Sequence, residues 1–443
     1  MRTEPLPSPA HATVTPHGAQ RGAFASITTL FFAWGFITVT VDPLIAAMKS
    51  IFQLSYAEVM LTQFAFFMAY GVISLPAAAL LKRLGYARSI LTALGIMIAG
   101  CLWVPCATAI GTFAQVLVAL FIIASGITIL QVAANPLAAA LGPPERSHFR
   151  LTLSQAFNSL GTAIAPYLAS SVLLAGGIFT LHAGPITAAQ RMTSLHHIDV
   201  AFLAVAALIA LLALFITSVR GKLRLPQSTP QHDSVHAHAH ASAPASGALR
   251  EALRSRWAVL GAAAIFLYVG AEVSIGSAMA IFLHRPDVFD IPLEQAGKWV
   301  SLYWGGAMVG RFIGSGLLRR LRAPVLLAGT AAIAAALCLT VSHAPGALAG
   351  WAALAVGLFN SIMFPVIFTL TLERSSASNA ATSGLLCMAI VGGAVLPVIV
   401  GQVADATGLR SAYLVPMLAY LCICAFAIGA IRSVRLVPAR SEL

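Results

Sequence analysis

Twelve apolar runs, each long enough to cross a lipid bilayer, follow one another along this sequence of 443 residues. A membrane-spanning helix needs about 20 mainly apolar residues. The runs begin near residues 24, 57, 90, 114, 150, 199, 257, 296, 324, 348, 380 and 411. Only 9% of the residues are charged, which is too few to form a water-exposed surface. Because helices satisfy their own backbone hydrogen bonds in lipid, the sequence predicts an all-α membrane protein with twelve transmembrane helices.

The positions of the basic residues indicate how these helices are oriented. If the twelve spans alternate in direction, 20 of the 26 Lys and Arg residues fall on the side that carries both chain ends. Loops rich in Lys and Arg stay in the cytoplasm. We therefore expect a multi-pass protein of the cytoplasmic (inner) membrane, with both termini inside the cell and the first run kept as an anchor. The net charge of +12 then reflects topology, and no nucleic-acid partner is predicted.

The two halves of the chain repeat each other. Pairs of residues five positions apart recur at matching places, namely Gly161 and Pro166 with Gly392 and Pro397, and Gln131 and Pro136 with Asn360 and Pro365. Two such halves are the plan of many secondary transporters, so the repeat predicts two pseudo-symmetric six-helix bundles.

The polar segments set the predicted boundaries of these bundles. The predicted parts are a cytoplasmic tail at 1–23, a bundle at 24–219, a cytoplasmic linker at 220–256, a second bundle at 257–433 and a cytoplasmic tail at 434–443. The linker is rich in Ser, Pro, Ala and His. Its histidines lack neighbouring cysteines or paired carboxylates, so no metal site is predicted there.

Four carboxamides lie in runs that are otherwise apolar. Gln131 and Asn135 are four positions apart in the fourth run, and Gln155 and Asn158 are three apart in the fifth, so each pair shares a face of its helix. A carboxamide both donates and accepts hydrogen bonds, as sugar hydroxyls do, and could therefore bind a neutral sugar without adding charge. The alternative is hydrogen bonding between helices, which contributes only about 0.6 kcal/mol on average.

Two carboxylic acids, Asp42 and Glu272, lie clearly within hydrocarbon depth. A charge at the centre of a spanning helix costs about 2.5 to 3.5 kcal/mol, so such acids indicate function. Asp42 has no basic neighbour in its own run, and burial favours its neutral form, so it is predicted to bind and release a proton. Glu272 has two interpretations, an ion pair with Arg311 of the eighth run, or a role in sugar binding or ion coupling.

Three further residues are predicted to contact the transported substrate. Trp304 lies seven positions before Arg311, and Tyr268 lies four positions before Glu272. Both rings could therefore stack on a ring-shaped substrate, which the resemblance described below implies to be a sugar, from the same faces as these charged groups. Asn360 is the counterpart of Gln131 in the repeat.

Several stretches resemble the fucose permease and glucose/galactose transporter group of the major facilitator superfamily. They include "FFAWGFITVTVDPLI", "LTQFAFFMAYGVISLPA", "QVAANPLAAALGPPE", "RLTLSQAFNSLGTAIAP" and "FNSIMFPVIFTL". The resemblance implies a sugar symporter that works by alternating access, is usually driven by protons, and has a central cavity between its halves. It also implies that Asp42, Gln131, Asn135, Gln155 and Asn158 face this cavity.

The resemblance also guides the choice of substrate and ion. The fucose permease carries a carboxylate where Gln131 stands and a glutamine where Glu272 stands, which favours glucose or galactose over fucose here. We expect no cofactor, a proton as the coupling ion with sodium as the alternative, a monomer in membrane lipid, and a small neutral sugar as partner. A non-transporting sugar sensor or a channel of the same fold stays open. An enzyme is not expected, because no loop is long enough to house a catalytic domain.

Overall fold

A computed structural model describes residues 17–141, 147–174, 187–220, 245–318 and 320–435. Within these ranges all regular elements are helical. The α-helices are α1 His17–Phe52, α2 Tyr56–Ile110, α3 Phe113–Ala140, α4 Ser147–Leu173, α5 Ala188–Val219, α6 Ala245–Arg254, α7 Arg256–His284, α8 Leu293–Leu317, α9 Ala323–His343, α10 Ala347–Asn360, α11 Met363–Arg374, α12 Asn379–Met388, α13 Gly392–Thr407, α14 Leu409–Ala412 and α15 Leu414–Arg435. A 3-10 turn, Ala389–Val391, joins α12 to α13.

The helix ends follow from local sequence signals. The hydroxyl of Ser55 accepts a hydrogen bond from the backbone N–H of Glu58, whose carboxylate accepts from the N–H of Ser55, and this capping box starts α2. Such reciprocal bonds satisfy backbone donors that have no partner inside the helix. The φ angle of 72° at Gly85 divides α2 into two spanning segments, a backbone conformation that glycine adopts without a steric penalty.

Ten helical stretches among the described residues are long and apolar enough to cross a membrane. The predicted spans that fall short are α4 and α8, which carry more polar groups than the others. Helix α8 contains Glu294, Lys298 and Arg311, and α4 contains Gln155 and Asn158. These two helices pack against each other at the centre of the molecule. Their polarity is therefore explained by their position between the halves, and the predicted all-α fold class is confirmed.

A short helix occupies part of the predicted linker. Helix α6 lies within the range 220–256, and the Glu251 carboxylate accepts a 2.6 Å hydrogen bond from the backbone N–H of Ser378, the residue that caps α12. The sequence interpretation of this range as linker alone missed this contact. Residues 221–244, including the linker histidines, lie outside the described residues, as do residues 1–16 and 436–443 of the tails.

Close packing at two glycines explains why the Gly-to-Pro spacing of five residues recurs in the two halves. A Cβ on Gly161 of α4 would overlap the carbonyl oxygen of Phe32 in α1, and a Cβ on Gly392, at the start of α13, would overlap that of Phe266 in α7. Each half therefore packs its first helix closely against its fifth span, at equivalent glycines. Larger residues at either position would force these backbones apart.

The two halves meet at one face of the molecule. We call the face where α1 begins and α15 ends the terminal face, and the opposite one, which carries the chain connections after Phe52 and Thr407, the far face. At the far face Asp405 of α13 accepts hydrogen bonds of 2.7 and 2.8 Å from the backbone N–H groups of Tyr56 and Ala57. Gly297 of α8 packs on Ser170 of α4 nearby. The bundles are thus joined at the far face.

Candidate functional site

Asp42 lies at the junction of the two bundles and is only 4% exposed. Its Oδ2 accepts a 3.0 Å hydrogen bond from the indole N–H of Trp304 in α8. Its Oδ1 accepts bonds of 3.3 Å from the Ser277 hydroxyl in α7 and from the Gln63 carboxamide in α2. Gln63 also donates to Ser277 over 2.7 Å. One carboxyl group of the first half is therefore bonded to two residues of the second half.

Trp304 is held in place by its own surroundings. Its ring meets the Tyr303 ring edge to face, with centroids 5.2 Å apart. Across the contact lies Gly276 of α7, where a Cβ would come within 3.1 Å of the indole. The absence of a side chain at Gly276 gives the indole room to reach Asp42. Trp304 was predicted to stack on a sugar, and here its polar edge is bound to the carboxyl group.

Glu272 lies in a separate polar cluster within the second half. Its Oε1 accepts a 2.7 Å hydrogen bond from the Tyr268 hydroxyl, which lies one turn earlier on α7. The Tyr303 hydroxyl donates to the backbone carbonyl of Glu272 over 3.1 Å. Tyr268 is 1% exposed. Tyr268 and Glu272 therefore form a bonded pair, consistent with the predicted shared face.

Asn360 lies in a hydrogen-bonded cluster of the second half, and its side chain is 0% exposed. The Nδ2 group donates to the Tyr303 hydroxyl over 2.8 Å, and Oδ1 accepts from the Tyr420 hydroxyl over 2.6 Å. These bonds tie Asn360 to two tyrosines of the second half, and its role in sugar binding stays a prediction.

The predicted pairing of Glu272 with Arg311 is not a direct contact here. The four ion pairs within 4.0 Å among the described residues all lie elsewhere. The Arg311 guanidinium instead donates a 2.6 Å hydrogen bond to the Ser159 hydroxyl of α4. The bond crosses between the halves, so Arg311 connects α8 to α4.

The amides of the first half differ in their bonding. Gln131 donates a 2.9 Å hydrogen bond to the Tyr70 hydroxyl of α2, and Asn158 donates a 3.0 Å bond to the carbonyl of Phe31 in α1. Asn135 has a buried carboxamide oxygen without a partner in the described part of the chain. Half-buried Gln155 makes no side-chain hydrogen bond there. A buried polar group without a partner is costly, so the Asn135 oxygen is available to a ligand, and the half-buried Gln155 carboxamide is also unengaged within the described ranges.

Sequence reasoning identified the two acids, but it missed several residues that bond to the predicted site residues. Gln63, Tyr70, Ser159 and Ser277 were not predicted, although Gln63 stands in one of the stretches that carry the resemblance. Only Gln63 had a usable signal, namely an amide in an apolar run. Three or more His, Cys, Asp or Glu residues do not converge as a metal site anywhere in the described ranges.

The arrangement can support two kinds of chemistry. Asp42 can exchange a proton, because its neutral and charged forms both find partners among the surrounding donors and hydroxyls. The unpartnered amides of the first half can bind hydroxyl groups. A two-half transporter binds its substrate between its bundles, and Asp42 is hydrogen-bonded across that interface.

Comparison with known proteins identifies the family. The pattern of the Major Facilitator Superfamily matches residues 23–389. The glucose/galactose transporter of Brucella abortus (strain 9-941) is 40% identical over 417 residues, covering 94% of this chain and 96% of that protein. The L-fucose-proton symporter of Escherichia coli (strain K12) is 33% identical, covering 91% and 92%.

Solved structures agree with this assignment. The crystal structure of the transporter FucP in the outward conformation superposes with a TM-score of 0.65 at 29% identity, covering 93% of this chain and 99% of that one. The family is one of transporters, so the prediction that the chain is not an enzyme is confirmed. The predicted resemblance is confirmed over nearly the whole length: the chain belongs to the Major Facilitator Superfamily.

Proposed function

We propose that this chain imports a hexose, glucose or galactose in preference to fucose, by proton symport through alternating access. The observation that carries the proposal is the buried carboxyl of Asp42, bonded across the interface of the two halves. The relative from Brucella abortus, a glucose/galactose transporter at 40% identity, supports the choice of sugar. The L-fucose-proton symporter of Escherichia coli supports the choice of ion.

The groups around Asp42 favour a proton over sodium. Sodium, a hard cation, is best bound by oxygen ligands such as carboxylates, carbonyls and water. The contact with Oδ2 of Asp42 is the indole N–H of Trp304, a donor with no lone pair to offer a cation. Such a donor would repel a cation and stabilise a carboxylate. Gln63 and Ser277, which also contact Asp42, are the side chains that a sodium site would have to recruit.

Orientation follows from the distribution of basic residues. We place the terminal face in the cytoplasm, since most Lys and Arg residues lie on that side. The far face is then outside the cell, and the contacts of Asp405 with α2 close the transporter to the outside. In this proposal Asp42, Gln131, Asn135, Gln155 and Asn158 of the first half and Tyr268, Glu272 and Trp304 of the second surround the transported sugar and ion.

Transport into proteoliposomes tests the proposal. Purified protein is reconstituted with a pH-sensitive dye inside the vesicles, and glucose, galactose and fucose are added separately under an inward proton gradient or an inward sodium gradient. We expect radiolabelled glucose or galactose to accumulate under the proton gradient with acidification of the vesicle interior. Accumulation that follows only the sodium gradient would overturn proton coupling.

Two other outcomes identify the remaining alternatives. Sugar binding without entry indicates a sensor. Rapid equilibration without accumulation under either gradient indicates a channel. Vesicles reconstituted with Asp42→Asn protein provide the matched control for dye signals that do not depend on coupling.

A further inference from the structure

We propose that Trp304 senses the charge of Asp42 and thereby links proton binding to opening of the far face. The inference rests on the proposed proton coupling, and it assigns a positioning role to a residue that sequence analysis grouped with sugar-stacking aromatics. The starting observation is that the two carboxyl oxygens of Asp42 have different hydrogen-bond partners. Oδ2 has the indole as its hydrogen-bond partner, whereas Oδ1 is shared by Gln63 and Ser277.

The two sets of partners respond differently to a proton. The Ser277 hydroxyl can rotate and either donate or accept, so it can bond to the neutral or the charged carboxyl. An indole N–H can only donate. A proton on Oδ2 would face the indole hydrogen directly and break this bond. A proton on Oδ1 would leave a neutral carbonyl as acceptor, and a bond to a neutral acceptor is about half as strong as one to a carboxylate.

The bond between Trp304 and Asp42 connects the bundles. Asp42 belongs to α1 of the first half and Trp304 to α8 of the second. The far-face contacts of Asp405 with Tyr56 and Ala57 also join the second half to the first. A bond that weakens on protonation therefore loosens the same closed arrangement, and charged Asp42 favours a closed far face.

Ionisable groups on the surrounding helices have other partners. Tyr70 of α2 receives a bond from Gln131 of α3, and Arg311 of α8 is bonded to Ser159 of α4. Glu272 of α7 is bonded by Tyr268. Lys49 of α1 donates to the carbonyl of Leu54.

The other tyrosines beside these groups are also engaged. Tyr303 donates to the backbone of Glu272, and Tyr420 donates to Asn360. The Asp42 carboxyl is buried and is hydrogen-bonded to Trp304, Ser277 and Gln63, and no charged side chain within the described ranges contacts it. A pH-dependent change in the Trp304 bond is therefore attributed to Asp42.

The direction of this link fits a symporter. Proton binding neutralises Asp42, weakens the bond to Trp304 and favours an open far face, where sugar can then enter. Loss of the proton to the cytoplasm restores the carboxylate and the bond. Proton binding before sugar binding is the order that this arrangement favours.

The test measures conformation rather than transport. Spin labels are placed on Thr112→Cys in the first half and Thr407→Cys in the second, both exposed at the far face, after replacement of the six native cysteines. Distances between the labels are measured in sugar-free detergent over a pH series. Parent protein should shift from a short to a longer distance as the pH falls. Asp42→Asn protein should lose this dependence.

Trp304→Phe is the decisive variant, because phenylalanine keeps an aromatic ring against Gly276 but has no N–H. We expect its closed-to-open ratio at high pH to fall by about tenfold, the difference expected from losing a charge-assisted hydrogen bond, and its pH-dependent shift to shrink. Trp299→Phe is the matched control on the same helix, since Trp299 packs in an aromatic cluster with Phe289 and Trp351. It should behave as the parent does.

Three outcomes would overturn the inference. They are a full pH-dependent shift in Trp304→Phe, an absence of any shift in the parent, and an equal loss in Trp299→Phe. The proposed function is judged separately, by sugar accumulation in vesicles. A protein that shows the predicted distance shift but moves no sugar would refute the proposed function and leave the role of Trp304 intact.

Discussion

Asp42 is the residue on which proton coupling depends in our proposal. Replacement by Asn keeps the size and polarity of the side chain but removes the ability to bind and release a proton. We expect Asp42→Asn protein to lose uphill accumulation of sugar while it still exchanges labelled for unlabelled sugar, because exchange requires no net release of a proton. Counterflow and concentrative uptake are measured in the same vesicles. Full accumulation under an imposed pH gradient would contradict this role.

Gln155 and Asn158 share a helix face but have different hydrogen-bond partners, and so they form a natural matched pair. Gln155 has no side-chain partner in the described part of the chain, so Gln155→Ala should weaken sugar binding by about 1 to 3 kcal/mol, the usual effect of losing a buried polar partner. Thermal stability should be unchanged. Calorimetric titration with glucose and galactose measures the affinity.

The Asn158→Ala variant should show the additional structural effect. Its carboxamide joins α4 to the backbone of α1, so we expect lower thermal stability, by about 0.6 kcal/mol for a typical bond between membrane helices, together with any loss of affinity. Unchanged sugar affinity in Gln155→Ala would show that this residue is a packing amide.

Glu272 is hydrogen-bonded to Tyr268 and Arg311 to Ser159, so mutations can test the two residues separately. If they acted only as an ion pair, removal of both would restore much of the loss caused by either single change. We expect instead that the Glu272→Gln and Arg311→Gln double variant folds but does not concentrate sugar, because Glu272 would bind sugar or the coupling ion. Uptake and thermal unfolding are compared in all three variants. Recovery of transport to near the parent level would leave Asp42 as the sole coupling acid.

At this scale the sequence predicts which residues matter better than it predicts what they touch. Asp42 stands out because a carboxyl at hydrocarbon depth is costly. Its partners come from helices 21 to 262 positions away, and no local pattern reveals them. The bonds of Asn360 to Tyr303 and Tyr420 were not predicted, because a buried amide has the same sequence context whether it faces a ligand or two tyrosines.

The contact between α13 and α2 shows how one element can hold two bundles together. The Asp405 carboxylate caps the N-terminus of α2, where backbone N–H groups lack partners and the helix dipole favours negative charge. Capping residues typically contribute about 0.5 to 2 kcal/mol. We expect Asp405→Ala to open the far face, lowering the closed-to-open ratio by about fivefold for a bond of 1 kcal/mol.

The same spin labels measure this change. Asp290→Ala is the matched control, since Asp290 is an exposed aspartate on the same face outside the helices. An unchanged distance distribution in Asp405→Ala would show that the cap does not hold the far face closed.

Asp287 is a second acidic residue at the far face, and its surroundings shift its pKa. Hydrogen bonds from Arg285 hold the pKa of Asp287 below its ordinary value of 3.8. A carboxylate with a lowered pKa contributes stability above the unfolded value and loses it as the pH falls through the lower folded value. Because its pKa lies below the ordinary value of 3.8, Asp287 keeps its charge above that value, and conformational changes at higher pH do not arise from it.

The sequence anticipates the elements more completely than the site. Twelve apolar runs are enough to predict the helical fold, and the glycine spacing in the fifth and eleventh runs reflects the close packing of Gly161 and Gly392. Helix α6 could not be predicted, because it contacts Ser378 from a polar segment. The residues of α6 lie outside the apolar runs that define the spans.

The whole molecule has an orientation that can be measured directly. A green fluorescent protein fused after Leu443 should fluoresce in intact cells, because it folds in the cytoplasm, whereas alkaline phosphatase at the same place should be inactive. The basic residues on the terminal face provide the physical reason. Active phosphatase and dark fluorescent protein would reverse the assignment and put the closed far face in the cytoplasm.

Proton coupling through the Asp42 carboxyl would also make transport respond to membrane voltage. If a neutral sugar enters with one proton, each cycle carries one positive charge inward, and a potential of 100 mV contributes about 2.3 kcal/mol to that step. This energy corresponds to roughly a fiftyfold sugar gradient. A cell with no pH difference across its membrane would therefore still accumulate sugar through this protein, as long as its interior stayed electrically negative.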